Sequence, residues 1–139
     1  MENNSGTVKF LLLDITGVLI RNGEPNHELI DYLVSSCPID RISLLTNLDR
    51  NAGEILTRRY GLPEFFDEII SAGETGYAKP NPKIFEVALE RLGAKPDECV
   101  FVDDTEENVA SARSIGMKVI LYRSFEEFSK EMNAALEEK

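Results

Sequence analysis

The sequence has 139 residues, a size that fits one domain, and its content of 42% hydrophobic and 29% charged residues is ordinary for a globular protein. Its 25 acidic and 15 basic side chains give a formal charge of -10, which argues against nucleic acid or an anionic membrane as a partner. The two cysteines lie in unrelated contexts, and no apolar run approaches the roughly 18 residues of a membrane span, so we expect a cytoplasmic protein with free thiols.

Local signals in the first 40 residues predict a strand, a tight turn and a helix. Residues 1–7 lack the basic and apolar regions of a signal peptide, and we expect a flexible N-terminus there. An apolar strand over 8–14 ends at Asp14. The Asn-Gly pair at 22–23 is typical of a tight hairpin or a small flap. Apolar residues at helical spacing then predict a helix that ends before Pro38.

The middle of the chain continues this alternation of strand and helix. Residues 41–46 predict a second strand, and residues 65–71 predict a short third strand. A helix is predicted between them over 51–60, with Asp49 as its N-terminal cap and Gly61 at its end. Regular alternation of this kind is typical of parallel sheets.

The last part of the chain has the clearest helix signals. Asn81-Pro82 begins a helix that ends at Gly93. The remaining elements are, in chain order, a strand over 99–103, a helix over 106–115 that Thr105 caps, a strand over 117–122, and a helix that begins with a capping box at Ser124 and Glu127. We therefore predict a single α/β domain over 1–139, a three-layer, doubly wound parallel sheet of about five strands with helices on both faces.

Polar side chains stand at or just beyond the ends of four predicted strands: Asp14, Thr46-Asn47, Lys79-Pro80 and Asp103-Asp104. In a parallel sheet these positions converge on one edge. Each alone is explained by a helix cap or a turn, but three carboxylates in one cleft repel each other unless a cation lies among them. Lys79 supplies one positive charge, and Mg²⁺, which prefers oxygen ligands, would supply the rest. With one histidine and two separated cysteines, the chain has few of the residues that a zinc site or a Ser-His-Asp triad needs.

The ordered set of motifs resembles the haloacid dehalogenase (HAD) superfamily. The similar segments are Asp14-Ile15-Thr16-Gly17-Val18 for its first motif, Thr46 for its second, Lys79 for its third and Val100-Phe101-Val102-Asp103-Asp104 for its fourth. Residues 71–80 and 107–117 also resemble family members, so the resemblance covers nearly the whole chain. It implies the HAD-like Rossmannoid core as the fold.

The resemblance also implies a set of catalytic residues. Asp14 would attack a phosphoryl group and form an aspartyl-phosphate, with Thr46 bonded to a phosphate oxygen and Lys79 balancing charge. Phosphatases of the family usually carry a second Asp where this chain has Thr16. A threonine hydroxyl cannot exchange protons with the leaving group or with water near pH 7, and the loss of such a group costs about 10²- to 10⁴-fold in rate. In the cation-pumping ATPases, which also have Thr there, the aspartyl-phosphate is long-lived.

Two further sets of residues follow from the resemblance. Those implied as Mg²⁺ ligands are Asp14, the backbone carbonyl of Thr16, Asp104, and Asp103, which would either bind through water or orient Lys79. Those implied as substrate contacts are Thr16, Gly17 and Asn47.

Family members that act on small metabolites usually carry a cap domain between the first and second motifs or between the second and third. Here Thr46 lies 32 positions after Asp14 and Lys79 lies 33 positions after Thr46, and the core elements use both intervals. We therefore expect no cap domain. Either a large phosphorylated substrate, such as a macromolecule, or the neighbouring subunit of a homo-oligomer would then cover the site.

Two functions stay open on the sequence. One is a Mg²⁺-dependent phosphatase that is slow because of Thr16, and the other is a catalytically inactive module that binds phosphate groups or a protein partner. Retention of the other motif residues favours the phosphatase. A phosphorylated receiver domain has similar motif residues, but its acidic pair precedes the phosphorylated Asp, whereas here Asp103-Asp104 comes last.

Overall fold

The computed structural model describes residues 7–62 and 65–137. Its strands are β1 (Phe10–Leu13), β2 (Ile20–Arg21), β3 (Glu24–Pro25), β4 (Arg41–Thr46), β5 (Ile69–Ser71), β6 (Cys99–Asp103) and β7 (Lys118–Leu121). Its helices are α1 (His27–Ser35), α2 (Ala52–Tyr60), α3 (Ala72–Thr75), α4 (Pro82–Leu92), α5 (Glu106–Ser114) and α6 (Phe125–Glu137), with a 3₁₀ turn at Pro96–Glu98.

Five of the strands form one parallel sheet in the order β5-β4-β1-β6-β7. Side chains alternate across β1, so that Leu11 and Leu13 join one apolar cluster while Phe10 and Leu12 join another. The first cluster contains buried residues of α1, α2 and α6, and the second contains those of α4 and α5. Helices therefore cover both faces, which confirms the predicted three-layer, doubly wound fold.

The predicted hairpin is confirmed and forms a small flap beside β1. β2 and β3 pair antiparallel, and Asn22 and Gly23 between them have φ of 54° and 77°, as a tight two-residue turn requires. Arg21 anchors the flap, because its Nη1 donates to the Gly17 carbonyl at 2.9 Å and its guanidinium lies 5.1 Å from the centre of the Tyr122 ring. The flap is thus fastened to the chain just after β7.

Several predicted boundaries need correction. The first and third strands are shorter than expected, and the short helix α3 was not predicted. Asp49 was predicted to cap α2, but the helix begins at Ala52, so its N-terminal cap position is Asn51. The Asp49 carboxylate accepts from the neighbouring Arg50 amide at 2.7 Å. Most of the predicted flexible N-terminus, residues 1–6, lies outside the described residues.

Within residues 7–62 and 65–137, the chain carries no cap domain between the motifs. The flap and α1 occupy the interval between β1 and β4, and α2, β5 and α3 occupy the interval between β4 and Lys79. Among the helices of this part of the chain, none combines the length and the apolar character needed to cross a membrane.

Candidate active site

The carboxyl ends of three neighbouring strands meet at one edge of the sheet. Asp14 follows β1, Thr46 ends β4 and Asp103 ends β6, and β1 pairs with both of the other strands. The Asp14 amide donates to the Val102 carbonyl at 2.9 Å, which holds Asp14 against β6. A cavity of about 330 Å³ at this edge, here named the strand-end cleft, is lined by Asp14, Thr16, Thr46, Asn47, Leu48, Lys79, Asp104, Thr105 and Asn108.

Lys79 connects two of the carboxylates from a buried position. Its Nζ donates to Asp14 Oδ1 at 2.7 Å, to Asp103 Oδ2 at 2.9 Å and to the Leu45 carbonyl at 2.9 Å. Only 1% of the lysine side chain is exposed. A buried ammonium is costly unless it is paired and hydrogen-bonded, and these three acceptors satisfy its three donors. The structure thus brings Lys79 among the carboxylates, in the place that the sequence predicted.

Asp103 is fully enclosed, and both of its carboxylate oxygens are occupied. Oδ2 accepts from Lys79 and from Asn108 Nδ2 at 3.1 Å, and Oδ1 accepts from the Thr105 amide at 2.9 Å. Of the two roles implied for Asp103, this geometry supports orientation of Lys79. Asn108 was not among the predicted site residues, although a polar residue next to Val109 on the buried side of α5 is a usable signal.

Asp14 is an oriented and partly desolvated carboxylate. It is 7% exposed, and its Oδ1 accepts from the Ile15 amide at 2.8 Å as well as from Lys79. Burial raises the pKa of Asp14 from 3.8 to about 6; Lys79 opposes this rise, and the negative charge of Asp103 adds to it. Both side-chain hydrogen bonds use Oδ1, so the lone pairs of Oδ2 are left for chemistry and for a cation.

The carboxylates form a set of donors that fits a divalent cation. Asp14, Asp103 and Asp104 each offer an oxygen, and the three oxygens lie within 4.8 Å of one another. Hard cations such as Mg²⁺ prefer oxygen ligands of this kind. Because Asp103 is already bonded to protein donors, Asp14 and Asp104 are the better placed ligands.

Asp104 lies at the exposed side of the set. Burial, and then the charge of Asp103, raise the pKa of its carboxyl group. Its carboxylate lies directly against the Cα of Gly17, where any Cβ would overlap it, and Gly17 has a φ of +93° that also favours glycine. The backbone of Gly17 is engaged with the flap, since its amide donates to the Ile20 carbonyl at 2.7 Å. Gly17 therefore makes room for Asp104.

Two threonines of the predicted site differ in exposure. Thr16 is exposed at the mouth of the strand-end cleft. Thr46 is buried, and its Oγ1 accepts from the Leu48 amide at 3.1 Å. A hydroxyl has one donor as well as acceptors, so Thr46 can also donate a hydrogen bond at the cleft.

Asn47, which was predicted to contact the substrate, lines the strand-end cleft, and its side chain bonds to the backbone of Lys79. Its Oδ1 accepts from the Lys79 amide at 2.8 Å, and its Nδ2 donates to the Lys79 carbonyl at 3.1 Å. No local pattern predicts this pair, because the two residues lie 32 positions apart.

Comparison with known proteins agrees with this geometry. The family model for haloacid dehalogenase-like hydrolases matches residues 28–116. The chain therefore belongs to the haloacid dehalogenase-like hydrolase family. It is similar to glyceraldehyde 3-phosphate phosphatase of Methanothermobacter thermautotrophicus, with 43% identity over 67 residues, which are 48% of this chain and 30% of that relative. The chain thus spans less than a third of that relative's length.

Solved structures show the same fold across nearly the whole chain. A HAD-like family hydrolase from Porphyromonas gingivalis superposes with a TM-score of 0.79 at 20% identity, covering 96% of this chain and 100% of the other. A HAD-family enzyme from Bacteroides thetaiotaomicron, solved as an Asp-to-Ala mutant with magnesium and inorganic phosphate, has a TM-score of 0.77 at 18% identity, covering 89% and 98%. At sequence identities of 20% and 18%, this similarity shows a shared fold and nothing more.

Proposed function

We propose that this chain is a Mg²⁺-dependent phosphatase of the HAD type, with Asp14 as its nucleophile. The observation that carries the proposal is the state of Asp14: Lys79 and the Ile15 amide hold Oδ1, while Oδ2 is left to react. The similarity to glyceraldehyde 3-phosphate phosphatase supports a phosphorylated substrate.

In the proposed reaction, Asp14 Oδ2 attacks the phosphorus of a phosphate ester. A P–O bond to Asp14 forms as the bond to the leaving group breaks, and the leaving alkoxide takes a proton from water. Water then attacks the phosphorus of the aspartyl-phosphate, giving inorganic phosphate and the free carboxylate. Lys79 balances charge on the nucleophile and the phosphate, and the Thr46 hydroxyl donates to a phosphate oxygen.

Asp14, Asp104 and the Thr16 carbonyl would hold Mg²⁺ beside the nucleophile. When bound, Mg²⁺ supplies positive charge that neutralises the carboxylates and the phosphate. Asp103 would contribute through Lys79, which it orients from a fully buried position.

Thr16 makes both steps slow in this proposal. Among the residues that line the strand-end cleft, the titratable ones are Asp14, Lys79 and Asp104, and each already has a role. The leaving group and the attacking water therefore depend on solvent for proton transfer, at a cost of about 10²- to 10⁴-fold in rate. The enzyme would act best on esters with good leaving groups and would accumulate the aspartyl-phosphate.

The same exposed Thr16 favours a second candidate, a catalytically inactive module that binds phosphate groups or a protein partner. Wild type, Asp14→Asn and Thr16→Asp should be compared with Mg²⁺ and an aryl phosphate, with mass spectrometry for a phosphate on Asp14. A phosphorylated Asp14 in wild type, absent from Asp14→Asn, supports the enzyme. Wild type at the level of Asp14→Asn, together with turnover by Thr16→Asp, supports the binding module.

The openness of the site bears on what covers it during reaction. The flap is short and fastened by Arg21, so we propose that either the surface of a large phosphorylated substrate or a second copy of this chain covers the cleft. Light scattering of the protein at increasing concentration separates the two. A monomer at all concentrations excludes cover by a second copy.

A further inference from the structure

We infer that Asn47 is a positioning residue, which acts on the reaction by holding Lys79 in place rather than by touching the substrate. This inference rests on the proposed function, because Lys79 is assigned there to balance charge at Asp14. It also has a consequence that needs no catalysis, which is protection of the Lys79 amide proton.

The amide group of Asn47 bonds to both polar groups of the Lys79 backbone. Oδ1 accepts from the Lys79 amide at 2.8 Å, and Nδ2 donates to the Lys79 carbonyl at 3.1 Å. Lys79 lies between α3 and α4, outside any strand, so no neighbouring strand could make these two bonds. The Asn47 side chain makes both bonds instead, as a neighbouring strand would in a sheet.

The end of β4 therefore holds Lys79 at both of its ends. Asn47, just after β4, bonds to the lysine backbone, and the Leu45 carbonyl accepts from Nζ at 2.9 Å. Lysine has a flexible four-carbon stem, so fixing the backbone and the ammonium together limits the positions that Nζ can take. The 2.7 Å contact of Nζ with Asp14 Oδ1 depends on this arrangement.

A second side chain holds the same loop from the opposite side. Ser111 of α5 donates from Oγ to the Pro80 carbonyl at 2.7 Å. The loop is thus fixed between the end of β4 and α5, and Asn47 is the member of this pair that bonds to Lys79 itself.

The matched pair of variants is Asn47→Ala and Asn51→Ala. Both remove one carboxamide from an exposed residue of the segment after β4, but the Asn51 side chain makes no capping hydrogen bond, whereas that of Asn47 bonds to Lys79. With an aryl phosphate and Mg²⁺, Asn47→Ala should slow phosphorylation of Asp14 in a single turnover by about 10- to 100-fold, as expected for a misplaced catalytic group, while the substrate concentration that gives half of the maximal phosphorylation rate stays within about twofold of wild type. Asn51→Ala should match wild type.

The opposite pattern would overturn the inference. If Asn47→Ala raises this half-saturating substrate concentration while the maximal phosphorylation rate stays at the wild-type value, Asn47 binds the substrate. In a Lys79→Met background, Asn47→Ala should have no further effect on the rate, and a full additional loss there would also count against positioning. If Lys79→Met does not fold, the comparison of Asn47→Ala with Asn51→Ala still tests the positioning role.

Hydrogen exchange at the Lys79 amide tests the positioning role of Asn47 independently of the phosphatase activity. The Lys79 amide proton should exchange slowly in wild type and in Asn51→Ala, and about tenfold or more faster in Asn47→Ala, because its acceptor is removed. Equal exchange in wild type and Asn47→Ala would refute the positioning role. Absence of phosphorylated Asp14 in wild type, with the exchange result as expected, would refute the phosphatase alone.

Discussion

Replacement of Lys79 by methionine tests whether the lysine holds two buried carboxylates in the fold. Methionine keeps much of the length of the side chain but removes the ammonium, and with it the contacts to Asp14 Oδ1 at 2.7 Å and Asp103 Oδ2 at 2.9 Å. Asp103 is 0% exposed and Asp14 is 7% exposed, so water cannot readily replace the lost partner. The variant therefore leaves negative charge buried without its counterion.

The size of the loss follows from this burial. Breaking a buried ion pair by removing one partner costs about 3–5 kcal/mol. With a urea m value of about 2 kcal/mol per M, the midpoint of unfolding should fall by about 2 M. The loss should be smaller at pH 5 than at pH 8, because burial already raises the pKa of Asp14, and without Lys79 this carboxylate takes up a proton as the pH falls.

Urea unfolding of Lys79→Met in metal-free buffer, followed by circular dichroism, measures this loss. Lys9→Met is the matched control, since Lys9 pairs with Glu98 at 3.3 Å but its side chain is 53% exposed. An exposed pair of this kind contributes about 0–1 kcal/mol. If Lys79→Met costs no more than Lys9→Met, the buried carboxylates do not depend on the lysine and the reasoning is wrong.

The remaining predictions concern the neighbours of Lys79 at the strand-end cleft. In metal-free buffer, Asp14→Asn should raise the free energy of unfolding at pH 8 but not at pH 4, since burial raises the pKa of Asp14 to about 6 and the wild type loses stability as the pH rises toward that value. Gly17→Ala should weaken Mg²⁺ binding in calorimetric titration, because the new Cβ would displace the Asp104 carboxylate. Asn108→Ala should lower the free energy of unfolding by about 1–2 kcal/mol in urea, because it removes a hydrogen bond to the buried Asp103.

Each of these predictions has a control or a contrary outcome. Gly23→Ala matches Gly17→Ala in backbone strain, with φ of +77°, but a Cβ at Gly23 meets nothing within 4 Å, so Mg²⁺ affinity should stay at the wild-type value. Equal affinity of the two variants would argue against Asp104 as a ligand. A gain from Asp14→Asn that is the same at pH 4 and pH 8 would contradict the raised pKa, and an Asn108→Ala variant as stable as wild type would show that Asp103 does not need this donor.

Elements with strong local signals could be predicted from the sequence nearly to the residue. The strand β6 ends at Asp103 as predicted, and α4 begins at Pro82 after its cap Asn81 and ends at Gly93. These signals are short-range: a capping side chain, a proline at the first helical position, a glycine in the left-handed region and an apolar run. Elsewhere the predictions were wrong: β5 begins at Ile69 rather than at residue 65, and the four-residue helix α3 was not predicted although Ser71 caps it and the left-handed Gly76 follows it.

Part of the candidate site could likewise be predicted from the sequence, and part of it could not. The sequence alone was enough to predict that Asp14, Thr46, Lys79 and Asp103 would meet at one sheet edge, because parallel strands place their carboxyl ends together. The strand order, the enclosure of Asp103 and the partners of Asn47 depended on the tertiary structure. These features join residues far apart in the chain, so the partner of a side-chain amide such as that of Asn47 is decided by packing rather than by local sequence.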